Sequence, residues 1–213
     1  MNIMKKIRYR VFCQTLTIAL LLGMVEPQVA EAQSSAGDSI PQPRIALRTN
    51  LFYDATLSPN IGVDVRVDST WTVGLLAGIN AWDIDKEKNK KWRHMLFSLR
   101  ARKYLNDTIY HKRYVEVDAI YSHFNVGNVK FPFGLYKSVR DRRLQGDLVA
   151  LGGKYGYSWI LARNWRIEAE AGVAVGYAWF KEYDCPHCGT FLGDGDRIFL
   201  LPQLGINVVY IIN

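Results

Sequence analysis

Beyond residue 44 this chain has no uncharged run of 18 residues, so it is not assembled from membrane-spanning helices. Cysteine is nearly absent, with three in 213 residues, and histidine occurs four times. Metal-site chemistry therefore has few ligands to draw on. The length rules out a multidomain machine. A hydrophobic content of 49% with 22% charged residues rules out a disordered chain as well.

What is present begins with a leader. Lys5, Lys6, Arg8 and Arg10 precede an apolar stretch from Val11 to Val25, and Ala30-Glu31-Ala32 supplies a small-x-small cleavage site. This is a secretory signal peptide over residues 1–32, too short in its apolar part for a spanning helix. Its removal takes Cys13, and lowers the formal charge from +7 to +5. Residues 33–43 are small, polar and proline-containing, a flexible tether. The folded domain is then expected over residues 44–213.

Within that domain, period-two alternation recurs. From Asn164 to Phe180 the odd positions are Trp165, Ile167, Ala169, Ala171, Val173, Val175, Tyr177 and Trp179, while the even ones are charged or small. Residues 149–161 repeat this division, which a helix would scramble. Weaker copies at 44–54, 60–67, 70–82, 93–104, 113–124 and 198–212 bring the total to eight. The links alternate between short and long. The fold class expected is all-β: an eight-stranded antiparallel up-and-down transmembrane β-barrel, with short periplasmic turns and long external loops.

A soluble, lipocalin-like periplasmic carrier has the same alternation, so the direction of each face decides. Apolar-out is favoured because aromatics sit near strand ends, at Tyr53, Trp71, Tyr157, Trp159, Trp165, Tyr177, Trp179 and Tyr210, as lipid interfaces prefer. The lumen then receives Arg48, Arg66, Arg100, Arg102, Lys154 and Arg166 opposite Asp54, Asp64, Glu116, Asp118, Glu168 and Glu170. Six cations facing six carboxylates in so narrow a space should pair and plug it.

The run Arg48-Thr49-Asn50-Leu51-Phe52-Tyr53-Asp54-Ala55-Thr56-Leu57-Ser58-Pro59-Asn60-Ile61-Gly62 resembles a (K/R)TNLLYDA-TLTPN-(L/I)G pattern. Further matches follow in order at Lys91-Trp92-Arg93-His94, Phe124-Asn125-Val126-Gly127, Pro132-Phe133-Gly134-Leu135-Tyr136, Tyr155-Gly156-Tyr157 and Cys185-Pro186-His187-Cys188-Gly189. Together they resemble a Bacteroidetes family of small outer-membrane-type barrels of unknown function. The resemblance implies a place in cell-envelope gene clusters, some of them fimbrial. It implies no reaction and no cofactor.

Three constellations are candidates for chemistry. Cys185 and Cys188 have CxxC spacing in a glycine-rich link; a loop-stapling disulfide is preferred to redox exchange or metal binding, since no βαβ pattern surrounds them and His187 leaves zinc one ligand short. Ser122 and His123 suggest a lipid A-modifying barrel enzyme, but neighbours on a strand point to opposite faces, so no catalytic residue is assigned. Lys86, Lys88, Lys90, Lys91 and Arg93 crowd one external loop, and Lys130, Lys137, Arg140, Arg142 and Arg143 another. They are either a solvated surface or cations that meet outer-membrane lipid and lipopolysaccharide phosphates. The expectation is a non-enzymatic outer-membrane envelope or fimbrial assembly component, with no nucleic-acid partner, metal or cofactor.

Overall fold

The computed structural model describes residues 44–85, 90–106, 109–129, 142–184 and 189–212. Among these described residues nine strands and one short helix follow in order: β1 (Ile45–Asn50), α1 (Leu51–Ala55), β2 (Asn60–Arg66), β3 (Trp71–Asn80), β4 (Asp83–Asp85), β5 (Lys90–Tyr104), β6 (Lys112–Gly127), β7 (Arg142–Ile160), β8 (Trp165–Asp184) and β9 (Phe191–Ile212). Eight of them close into an antiparallel up-and-down ring, because β3 also pairs with β5 and β1 with β9. Short β4 pairs with the start of β5 alone.

The register fixes the geometry of this closed sheet. Cross-strand partners lead from Leu200 through Val175, Leu151, Ala119, Leu99, Leu75, Val63 and Leu47 back to β9 at Tyr210, ten residues further on. A stagger of ten over eight strands tilts them by roughly 40° to the ring axis. Both ends of the folded sheet, Ile45 and Ile212, lie at one end of the ring, called the lower end below.

Alternation places large apolar side chains outside. Leu151 is 71% exposed and Ile198 72%. On the outer face of β5 no charged residue lies between Lys103 and Arg93, and on β6 none lies between Arg113 and His123, ten residues in each case. At about 3.3 Å per residue and this tilt, the uncharged zone is about 25 Å tall.

The interior is layered. At the lower end Ala46, Tyr104, Ile109, Tyr110, Tyr114, Val209 and Ile211 form a plug. Tyr110 reaches it on a left-handed backbone (φ 57°), and its carbonyl accepts from Ser158 Oγ and Arg166 Nε, both at 3.1 Å. Those two bonds offset the cost of that conformation for a residue with a Cβ. Above the plug lies a polar layer. Above that come Ile120, Ala150 and Ala174, and then Phe124, Val126, Leu144 and Ala178.

Several expected boundaries are corrected. The strand expected over 44–54 stops at Asn50, where the Asn50 side chain accepts from the Phe52 N–H at 2.9 Å and caps α1. The later strands run past the apolar alternation: β7 begins at Arg142, β8 ends at Asp184 and β9 begins at Phe191. Backbone pairing continues there although charged and glycine residues break the apolar alternation. In contrast, β1 and β2 are short, and among the described residues no strand pairs with β9 on the β1 side before Asn207. Pro202, which has no N–H to donate, sits in that unpaired stretch.

Candidate functional site

The charged residues of the polar layer come from six strands, β1, β2, β5, β6, β7 and β8, and Gln203 adds β9. Arg48 on β1 donates through Nε to Asp64 Oδ2 at 2.6 Å and through Nη1 to Glu168 Oε2 at 3.0 Å. Arg102 on β5 donates to Glu116 Oε2 through Nε at 2.9 Å and to Glu168 Oε2 through Nη1 at 2.9 Å. Its guanidinium also lies 3.9 Å from the centroid of the Tyr114 ring. Arg100 reaches Asp64 Oδ1 at 3.1 Å. Lys154 on β7 bridges Glu116 at 2.6 Å, Glu170 at 3.2 Å and Asp118 at 3.5 Å.

Four cations thus meet five carboxylates. Neutral donors help to meet the remaining negative charge: the Tyr114 hydroxyl donates to Glu170 at 3.0 Å and Gln203 Nε2 to Asp118 at 2.7 Å. Arg102, Glu116 and Glu168 are at most 2% exposed, so removing a partner would strand a charge away from water. Close packing is built in at Gly156, where any Cβ would collide with the Tyr114 ring.

Three residues expected in this layer lie elsewhere. Asp54 is on α1 and accepts from Thr49 Oγ1 at 2.9 Å and Asn60 Nδ2 at 3.0 Å. Arg66 ends β2 at the lower rim, half-buried, and joins none of the ion pairs among the described residues. Arg166 spends its guanidinium on the carbonyls of Tyr110, Ala162, Arg163 and Trp165. Rim positions share the inward parity but not the depth, so parity alone overcounts. Tyr104, Tyr114, Gln203 and Asn207 were missed, although the same parity with the charged residues could have placed them.

On the outer face Trp71, Trp159, Tyr177, Trp179 and Tyr210 are 38–46% exposed. Tyr157 and Trp165 are half-buried beside Trp159 and Tyr210, with ring centroids 4.6 and 4.9 Å apart. Tyr53 is a correction: it belongs to α1 and is half-buried within the field of interior Lys154 and Glu170. Ser122 is buried inside at 4% exposure, whereas His123 is outside, its Nδ1 2.9 Å from Asp147, which also accepts from the Tyr121 hydroxyl at 2.7 Å. His111, in the lower turn, is held below the ordinary imidazole value by desolvation and then by Lys112 and Arg166.

Of the basic loop residues, Lys90, Lys91 and Arg93 lie on β5 and Arg142 and Arg143 on β7, not in loops, because these strands rise above the uncharged zone. Arg142 pairs with Glu182, and Arg143 lies 4.4 Å from the Tyr183 ring centroid. Lys86, Lys88, Lys130, Lys137, Arg140, Cys185 and Cys188 fall outside the described residues.

The 48–62 run is a self-clamped connector. Asn60 takes the Asn50 N–H on Oδ1 at 2.8 Å and returns its Nδ2 to the Asn50 carbonyl at 3.0 Å, while Asn80 Nδ2 reaches the Thr56 carbonyl and Ser58 Oγ, each at 3.3 Å. A family model described as "Protein of unknown function (DUF3575)" matches residues 16–212. The chain belongs to that family. No curated protein and no solved structure matches it. In this DUF3575 chain the connector and the buried ion-pair layer are densely hydrogen-bonded polar assemblies.

Proposed function

We propose that this chain is an eight-stranded transmembrane barrel of the outer membrane of Bacteroidetes, exported by its leader, that serves as a non-enzymatic cell-envelope or surface-structure assembly component, including fimbrial ones. The observation that carries the membrane reading is the uncharged outer face. Its height of about 25 Å equals the lipid-facing band of outer-membrane barrels. Trp71, Trp159, Trp165 and Tyr210 line its lower edge, and Tyr121, Tyr177 and Trp179 its upper edge, where amphipathic rings suit a lipid interface. Closed pairing supports the same reading, since hydrocarbon offers no partner to an open backbone edge.

The filled interior supports a scaffold rather than a pore. Among the described residues, buried ion pairs above a tyrosine plug occupy the interior, which favours a rigid platform. Its upper rim carries Lys90, Lys91, Arg93, Arg142 and Arg143, suited to lipopolysaccharide phosphates and to acidic partner surfaces. The test is fractionation of cells expressing the full chain, followed by electrophoresis with and without boiling, and then planar-bilayer recording. The expected result is an outer-membrane band whose mobility changes on heating, with no stable conductance. A soluble, heat-insensitive protein refutes the location; a large steady conductance refutes the filled interior.

A further inference from the structure

The outer face is not charged alike at its two edges. At the upper edge of the uncharged zone carboxylates stand outward beside the aromatics: Asp147 accepts from the Tyr121 hydroxyl, and Asp196 from that of Tyr177 at 3.1 Å. At the lower edge the outward charges that follow the apolar residues of β5 and β6 are Lys103 and Arg113, both exposed cations. Neither makes an ion pair among the described residues, and Lys103 Nζ lies 5.7 Å from the centroid of the Trp71 ring.

The register sets these two cations side by side. Lys103 is opposite Val115, and the Leu105 N–H donates to the Arg113 carbonyl, so Arg113 is the next outward residue below Val115 and lies diagonal to Lys103. Diagonal neighbours on antiparallel strands are about 7–8 Å apart, within reach of two long side chains that converge on one anion. Trp71 on β3 flanks Lys103, and Tyr157 on β7 flanks Arg113. The remaining outward neighbours are Val73, Ala101, Leu105, Val115 and Tyr155, so among the described residues no carboxylate of these strands stands beside the pair. Like charges placed together on a sheet repel, and here the sheet supplies nothing to neutralise them.

We propose that Lys103 and Arg113 clamp the phosphate of one anionic phospholipid in the leaflet at the lower end, with its acyl chains along Ala101, Val115 and Val117. The proposal rests on the outer-membrane reading above, in which that leaflet is the periplasmic one, and adds to it a ligand class and a place. A lipid, rather than free phosphate, is the occupant because the apolar face begins directly above the pair, where Val117 is 61% exposed. An anionic headgroup is preferred to a zwitterionic one because both cations donate to its phosphate, whereas an added ammonium would meet no acceptor carboxylate here.

The test is native mass spectrometry of the full chain in detergent, incubated with dimyristoyl phosphatidylglycerol, with dimyristoyl phosphatidylcholine, or with the former plus excess inorganic phosphate. Wild type should retain one phosphatidylglycerol at least tenfold more tightly than phosphatidylcholine, and inorganic phosphate should not displace it. Lys103→Gln with Arg113→Gln, both at exposed positions, should bring the two lipids to within about twofold of each other. Arg44→Gln with Arg163→Gln removes the same charge from exposed positions of the lower end outside the clamp, and should leave the preference unchanged. Equal retention of both lipids by wild type, displacement by phosphate, an undiminished preference in the Lys103 and Arg113 variant, or equal losses in the two double variants overturn the clamp, while a heat-modifiable wild type keeps the membrane reading intact. A wild type without heat-dependent mobility overturns both.

Discussion

Arg102, like Lys154, serves three interior carboxylates, and replacing it with methionine probes the energetics of the layer. The guanidinium serves Glu116 at 2.9 Å, Glu168 at 2.9 Å and Glu170 at 3.4 Å, at 1% exposure. Breaking a buried pair from one side costs about 3–5 kcal/mol, because the surviving charge keeps its desolvation penalty. Here each carboxylate retains a second cation: Glu168 keeps Arg48 at 3.0 Å, and Glu116 and Glu170 keep Lys154. The loss should therefore fall near the lower bound, about 3 kcal/mol. The assay is urea unfolding of the folded barrel, followed by tryptophan fluorescence and by the heat-sensitive gel band. With a slope of about 2 kcal/mol per molar, the midpoint should drop by roughly 1.5 M. Adding Glu116→Gln to Arg102→Met should recover roughly 1–2 kcal/mol, since it reduces the excess of buried carboxylates over cations that the loss of Arg102 enlarges. A single-variant loss below about 1 kcal/mol, or a double variant that simply adds two losses, would refute the reasoning.

Three further outcomes are expected. Leu151→Arg, in the middle of the uncharged zone, should cost about 2–4 kcal/mol in a bilayer, whereas Tyr177→Arg near its upper edge should cost about 0–1; equal costs in vesicle-based unfolding would contradict the assigned depth. Gly156→Ala should push Tyr114 off its place over Arg102 and lower the unfolding midpoint by more than Gly153→Ala, whose Cβ would meet only the Glu116 carbonyl, at 3.9 Å. Purified protein should show no maleimide-reactive thiol until reduced, if Cys185 and Cys188 form the loop staple; labelling without reductant would exclude it.

Much of the fold was legible because a strand's side chains alternate whatever else the chain does. Trp165 to Trp179 on one face and Glu168, Glu170 on the other needed only counting. Strand ends were less legible. The stretch from Lys181 to Arg197 reads as a loop because it holds glycines and charges, yet most of it pairs as a tall hairpin, since backbone hydrogen bonding does not require greasy neighbours. Residues 51–55 follow the apolar pattern of a strand but form a helical turn; the signal was Asn50, a capping residue placed before Leu-Phe-Tyr-Asp. The interior charges were recognisable by parity, but their depth was not. Depth depends on the stagger between strands, which is why Arg66 and Arg166 were counted with Arg48 and Arg102.

The seam between the first and last strands has a consequence for how the cylinder comes together. β1 offers six residues to a partner of 22, so the contact that joins the two ends of the sheet is brief, exceeded in brevity only by the four rungs between β1 and β2, and it is the one farthest apart along the polypeptide. Neighbouring hairpins from β5 to β9 can zip up locally with little loop entropy to overcome, while the final suture brings together segments more than 150 residues apart. Closure therefore comes last and is secured less by its own few rungs than by Arg48, which reaches from the first strand across the interior to Glu168 on β8, like a bolt thrown after the door has shut.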